Sequence, residues 1–213
     1  MRTDDLVKVL SEDRAAPRLA LARRLGVAVL TGGGAAVMLL LATIGLRADL
    51  GPAMLGSWRL PLKVAIVAAL ALSAAMAARR SAEPMPPTRA SMLLLLVAPA
   101  LLMIGLAAEL SLVPASEWTA NLLGANAGVC IIAIPLLALA PLAALIAALR
   151  QGAPASPALA GTLAGVSAAG LGAVAYALRC PDDSPLFVAV WYVAAIAIMA
   201  LIGRALGAWL LRW

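Results

Sequence analysis

The sequence predicts an all-α membrane protein, a bundle of six transmembrane helices, and three observations carry that prediction. Of the 213 residues, 64% are apolar and only 12% are charged, whereas a soluble domain is closer to half apolar and a quarter charged. The apolar residues gather into six runs, each near the roughly 20 residues that cross about 30 Å of hydrocarbon. The basic residues collect on one side of the connections between those runs. A chain so poor in charge cannot clothe a water-facing surface, and its mean hydropathy of +1.03 says the same.

The spans are expected at about Leu25–Leu46, Leu60–Ala78, Ser91–Ala108, Asn126–Leu149, Pro157–Leu178 and Leu186–Gly203. Backbone groups in lipid must be paired internally, and uninterrupted apolar runs exclude the alternation of barrel strands, so the spans are helices. Residues 1–24 precede the first span as a charged segment, and residues 25–213 form the membrane domain. The first run is long, follows a charged segment and lacks a small-x-small cleavage site, so it is read as a span and not as a signal peptide.

Orientation follows from the cations. Arg2, Lys8, Arg14, Arg18, Arg23, Arg24, Arg79, Arg80, Arg89, Arg150, Arg204 and Arg212 map to one side, and Arg47, Arg59 and Arg179 to the other. The positive-inside rule places both termini in the cytoplasm. The net charge of +6 is thereby a matter of topology, and direct nucleic-acid binding is not expected. Lys63, near the outer end of the second span, is expected to snorkel to the interface. Trp58, Trp118, Tyr176, Trp191 and Tyr192 map near the outer boundary as an interfacial belt, with Trp209 and Trp213 at the inner one. The GxxxG spacings Gly124/Gly128, Gly161/Gly165 and Gly203/Gly207 point to packing within one bundle. Pro135 and Pro141 are expected to bend or loosen the fourth span.

The chemistry available is narrow. With no histidine in the chain, serine–histidine triads, cysteine–histidine dyads and histidine-bound metals are excluded. The acids map outside the spans: Asp49, Glu109, Glu117, Asp182 and Asp183 on one side, Asp4, Asp5, Glu12, Asp13 and Glu83 on the other. A proton or ion pathway usually shows an intramembrane acid, and a phosphate-binding glycine loop is also missing. No enzymatic activity, cofactor or metal site is assigned. Cys180-Pro181-Asp182-Asp183-Ser184 is too irregular to specify a metal loop.

Two features remain. Cys130 lies about one turn inside the outer end of the fourth span and Cys180 at the outer end of the fifth, at similar depth. They are a candidate disulfide, or a target for oxidants or soft metals, and equally two small apolar fillers. In the N-terminal segment Thr3 can cap a short helix, Asp4 and Asp5 favour its dipole, and Leu6, Val9 and Leu10 share a face with Val7 at its margin. So short an amphipathic helix is marginal alone and gains stability in a partner's groove or on lipid headgroups. Its acids favour the partner.

The chain resembles the NrsF-type family of inner-membrane anti-sigma factors. The resemblance is carried by Met1-Arg2-Thr3-Asp4-Asp5-Leu6, by Gly45-Leu46-Arg47-Ala48-Asp49-Leu50, and most specifically by the run from Cys130 through Ile134-Pro135, Leu149-Arg150-Gln151-Gly152-Ala153-Pro154, Tyr176-Ala177, Cys180, Asp182-Asp183-Ser184-Pro185 and Trp191-Tyr192 to Leu210-Leu211-Arg212-Trp213. It implies a regulator whose cytoplasmic face sequesters an extracytoplasmic-function sigma factor, with Asp4, Asp5, Leu6, Val7, Val9 and Leu10 as the expected contacts. It also implies that Cys130 and Cys180 sense oxidative or heavy-metal stress. The pattern departs at Arg179, where members often carry histidine; a metal site using that ligand is not implied here, and a permanent charge beside the thiol is expected to favour its thiolate. A small transporter or an accessory subunit of a membrane complex is the alternative, motivated by the prolines of the fourth span and the glycines of the fifth.

Overall fold

The computed structural model describes residues 15–82 and 93–212, with side chains from Ala20 onward. The expected partner contacts Asp4, Asp5, Leu6, Val7, Val9 and Leu10 lie outside the described residues. The helices in chain order are α1 (Ala15–Thr43), α2 (Leu50–Gly56), α3 (Arg59–Ser81), α4 (Leu94–Leu112, its first turn a 3₁₀ turn), α5 (Ala115–Leu123), α6 (Ala127–Leu149), α7 (Pro157–Ala177) and α8 (Pro185–Leu210). Six of them, α1, α3, α4, α6, α7 and α8, are long and apolar enough to cross a membrane. No strand occurs among the described residues.

The sequence-based boundaries need local correction. Here α1 begins before Leu25, α4 continues past Ala108 to Leu112, and α8 runs on to Leu210. Two short helices, α2 and α5, stand in connections where the sequence reading names no element. Their windows are too short to announce a helix against flanking proline and glycine.

Helix ends follow local chemistry. Ser156 accepts from the Leu159 amide and Pro157 stands in the first turn of α7; Ser184 accepts from the Leu186 amide and Pro185 does the same for α8. Each pair satisfies an orphan donor and fixes φ where helix begins. Gly45, at φ +73°, turns the chain out of α1 while its amide donates to the Leu40 carbonyl, a left-handed ending that glycine adopts without a Cβ penalty. Helix α6 continues through both Pro135 and Pro141.

Helix α7 is the hub, packing on α1, α3, α6 and α8. Its small residues make this possible on three faces. A Cβ on Gly161 would collide with the backbone of Gly203 and Gly207, and one on Gly165 with the carbonyl of Met199, all on α8. On another face Gly170 meets the backbone of Ala71 on α3, and the Ser167 hydroxyl donates to the Ala71 carbonyl at 2.9 Å. On a third, Gly172 meets Ile134 and Ala138 on α6. Dispersion between closely approached backbones and a buried interhelical hydrogen bond are the forces available where apolar surroundings remove most of the hydrophobic drive. Pro141 finds its space against Gly32 of α1, where a Cβ would lie 2.7 Å from the proline Cα. The expected packing role thus holds for Gly161/Gly165 and Gly203/Gly207. It fails for Gly124/Gly128: Gly124 ends α5 at φ +57° against the Phe187 ring, and Gly128 has no neighbour within contact.

The outward faces carry large apolar side chains such as Leu30, Met38, Met103, Ile104, Ile132 and Leu201. Inside, one apolar cluster surrounds Leu142, Leu145, Leu149 and Ala164, and a second surrounds Cys130, Ile134, Tyr176, Cys180, Phe187 and Tyr192.

The glycine seam sets a stability prediction. Gly165→Ala and Gly203→Ala should each destabilise by about 1–3 kcal/mol, because the new methyl meets backbone that cannot turn away. Gly26→Ala and Gly128→Ala, which point into open space, should be neutral or stabilising by up to about 1 kcal/mol. Thermal unfolding in detergent micelles, comparing the four variants, checks the contrast.

A buried cysteine pair in a polar clasp

Cys180 ends the α7 side of the α7–α8 connection, and Cys130 sits in the first turn of α6, its amide bonded to the Asn126 carbonyl. Both are free thiols and both are buried. Their sulfurs are 3.9 Å apart, so residues fifty positions apart in the chain meet, a proximity that the sequence reading left open.

Around them the connection Cys180–Ser184 is held from every side. Lys63 of α3 is buried, its ammonium donating to the carbonyls of Cys180 at 3.2 Å and Asp182 at 3.0 Å and to the Asp183 carboxylate at 3.1 Å. Arg47, just beyond α1, reaches Asp183 at 2.7 Å, the Cys180 carbonyl at 3.2 Å and both oxygens of Asp49 at 2.8 Å. Asp182 accepts from the amides of Ala125 and Asn126 and from the Asn126 side chain, which fastens the start of α6. Ser184 donates to Glu109 of α4 at 2.9 Å, and Glu109 pairs with Arg59 of α3 at 3.0 Å. Five residues of connection thereby touch the ends of α1, α3, α4 and α6.

Three expectations are corrected here. Lys63 does not snorkel to an interface; with three acceptors presented by one loop, turning inward costs less than leaving those acceptors unpaired. Glu109 is not outside the spans: it lies in the last turns of α4 with no exposed surface, which its ion pair and the Ser184 hydroxyl make tolerable. Tyr176 and Tyr192 are not belt residues but fully buried neighbours of the thiols, their rings 6.3 Å apart, with Lys63 5.1 Å from the Tyr192 ring centroid. A five-residue π segment, Val188–Tyr192, opens α8 and ends on Tyr192; such wide turns recur at functional sites.

Electrostatics separate the two cysteines from ordinary core residues. The Cys130 thiol as donor, with the Lys63 charge behind it, pulls the Cys180 thiol below its usual range against the opposing effect of burial. The expected cation, Arg179, turns its guanidinium to the Leu46 carbonyl; Lys63 and Arg47 are the cations bonded to Cys180. The Arg47 guanidinium, donating to Asp49, holds that carboxyl down to about 2, so this pair stays ionised across the physiological range. Asp182 and Asp183 are both engaged as described, which leaves the connection no open carboxylates for a metal loop. Lys63, Glu109, Tyr176 and Tyr192 escaped the sequence reading as site residues. The available signal was the recurrence of charge in the motifs Arg47-Ala48-Asp49 and Asp182-Asp183-Ser184, which asked for partners of opposite sign.

The clasp yields a graded prediction. Asp183→Ala removes the only carboxylate bonded to the buried Lys63 ammonium among the described residues, and should cost about 3–5 kcal/mol. Asp49→Ala removes a largely exposed partner of Arg47 and should leave stability nearly unchanged. Thermal unfolding in micelles distinguishes them, and equal losses would refute the burial argument.

Compared with known proteins, the chain matches the family described as NrsF, negative regulator of sigma F, over residues 10–213. It is 34% identical over 226 residues to the anti-sigma-F factor NrsF of Caulobacter vibrioides and 33% identical over 218 residues to the probable anti-sigma-F factor NrsF of Azospira oryzae, with the full length of each chain covered in both comparisons. No solved structure matches. Full-length similarity to regulators of a sigma factor, together with the family match, places the chain in a class of regulatory proteins and not of enzymes: it belongs to the NrsF family of negative regulators of sigma F.

Proposed function

We propose that this chain is a membrane-embedded anti-sigma factor of the bacterial inner membrane. It holds an extracytoplasmic-function sigma factor through its N-terminal segment and releases it when Cys130 and Cys180, on the opposite face of the membrane, respond to oxidative or heavy-metal stress. The observation that carries the reading is the meeting of two buried thiols at 3.9 Å, one in the first turn of α6 and the other in a loop bonded to residues in or beside α1, α3, α4 and α6. Two inert fillers need no such surroundings, whereas a switch needs its reactive atoms at a point where many elements join. Family membership and the names of the two relatives support sigma binding. The six apolar helices and the distribution of the cations support the membrane location and its direction.

In this reading Asp4, Asp5, Leu6, Val7, Val9 and Leu10 form the sigma contact, the leucines and valines entering a groove and the aspartates pairing at its edge. A signal at the thiols must lower the affinity at the other face by favouring a different packing of the bundle, since a change with no differential affinity transmits nothing. A shift of a few kcal/mol is sufficient, on the order of one or two interface anchors.

Affinity purification from solubilised membranes, with and without residues 1–16, tests the contact: one sigma factor should be recovered by the full chain and lost on truncation. Replacing both cysteines by serine should leave that capture intact and abolish induction of sigma-dependent transcription by oxidant or heavy metal. Recovery of no sigma factor by either form, or normal induction in the cysteine double variant, would overturn the corresponding half of the reading.

A further inference from the structure

The two thiols are not equivalent. At the cysteine end of the bundle a cleft of about 500 Å³ is lined by Arg47, Asn126, Tyr176, Arg179 and Cys180 among others. Cys180, itself buried, is the cysteine that lines this cleft, while Cys130, in the first turn of α6, does not line it. The Lys63 ammonium is bonded to the backbone of Cys180 itself, so a negative charge on that sulfur is met by a fixed cation. Beside the pair, in the same packed cluster, the hydroxyl of Tyr192 is buried without a hydrogen-bond partner among the described residues. A buried hydroxyl is normally paired, and an exception calls for a functional reason.

We propose that Cys180 is the thiol that attacks a hydroperoxide entering this cleft, that Tyr192 donates its hydroxyl hydrogen to the oxygen left on the Cys180 sulfur, and that Cys130 then displaces that oxygen; the inference rests on the reading of the pair as the sensor. In the first step the Cys180 thiolate attacks one peroxide oxygen. A sulfur–oxygen bond forms, the oxygen–oxygen bond breaks, and the departing alkoxide or hydroxide leaves as an alcohol or water after taking up the proton that the Cys180 thiol released on ionising. The sulfur loses two electrons and the peroxide gains them. In the second step the Cys130 sulfur attacks the Cys180 sulfur, the disulfide forms, the sulfur–oxygen bond breaks, and hydroxide leaves with the Cys130 proton as water. The 3.9 Å contact keeps Cys130 at the sulfur it must attack, which favours closure over further oxidation.

The test uses the full chain in proteoliposomes, treated with hydrogen peroxide and dimedone, a trap for sulfenic acids, with peptide mass spectrometry as the readout. In Cys130→Ser the adduct is expected on Cys180; in Cys180→Ser the adduct on Cys130 should be about a tenth of that or less, following the poorer access of that sulfur. Cys130→Ala serves as a second variant should the buried serine impair folding. Tyr192→Phe, which keeps the ring, should slow disulfide closure several-fold at unchanged thermal stability. Adduct on Cys130 equal to or above that on Cys180 overturns the order, as does closure of the wild-type pair without a trapped Cys180 adduct in either Cys130 variant. An unchanged rate in Tyr192→Phe overturns the role of that hydroxyl. A chain that forms the Cys180 adduct yet never releases a sigma factor would sink the sensing reading and leave this chemistry standing; cysteine-dependent release without the adduct would do the reverse.

Discussion

The ammonium group of Lys63 has no exposed surface, and among the described residues its hydrogen bonds all end on the short connection between α7 and α8. Much of the cysteine end follows from that constraint. Removing a cation from water costs several kcal/mol, which only close partners of good geometry offset. The loop must therefore present two carbonyls and a carboxylate at one point in space, which fixes its path from Cys180 to Asp183. Asp183 in turn anchors Arg47, and through it the turn after α1. The thiols stand where they do because the backbone that carries one of them is bonded to a buried charge.

This arrangement makes the pair mechanically sensitive. A disulfide requires its sulfurs about 2.03–2.05 Å apart, so closing a 3.9 Å contact means that one side moves. Cys130 is carried by the first turn of a long helix and tied to Asn126, whereas Cys180 is carried by loop. Any displacement of Cys180 acts on a carbonyl shared by Lys63 and Arg47. A bond network centred on one residue in this way has few small adjustments open to it, because weakening one contact exposes a buried charge to the loss of another.

Much of this was legible in the sequence, and the rest has a physical reason for its silence. The six spans were readable because lipid imposes a length and a composition on each segment separately. Cys130 and Cys180 were readable as two thiols at similar depth on one face, but whether they meet depends on how the helices carrying them pack, which no local pattern records. Lys63, Glu109 and Tyr192 were misjudged because rules for membrane interfaces weigh a residue against the solvent, not against partners elsewhere in the chain. Lys63 finds Asp183 at 120 positions' separation, Glu109 finds Ser184 at 75, and no local period records either. Gly124 illustrates the converse: its spacing from Gly128 imitates a helix seam, but a break in the helix between them places the two in different elements.

What happens at the cysteine end need not stay there, because α7 joins both ends. Its glycines meet the backbones of α8, α3 and α6 with no side chain between. A contact padded by long side chains absorbs a small shift through rotamers; a contact between backbones does not, and so passes the shift on as movement of whole helices. At the far end of α7 the Gly161 seam lies against Gly207, and nearby the Ala153 amide donates to the Ala82 carbonyl after α3. Close-packed interiors rearrange between discrete arrangements more readily than they deform gradually. A polar clasp set on a helix whose packing cannot yield locally is thus a physical route by which a displacement at the cysteine end would reach the far end of the bundle.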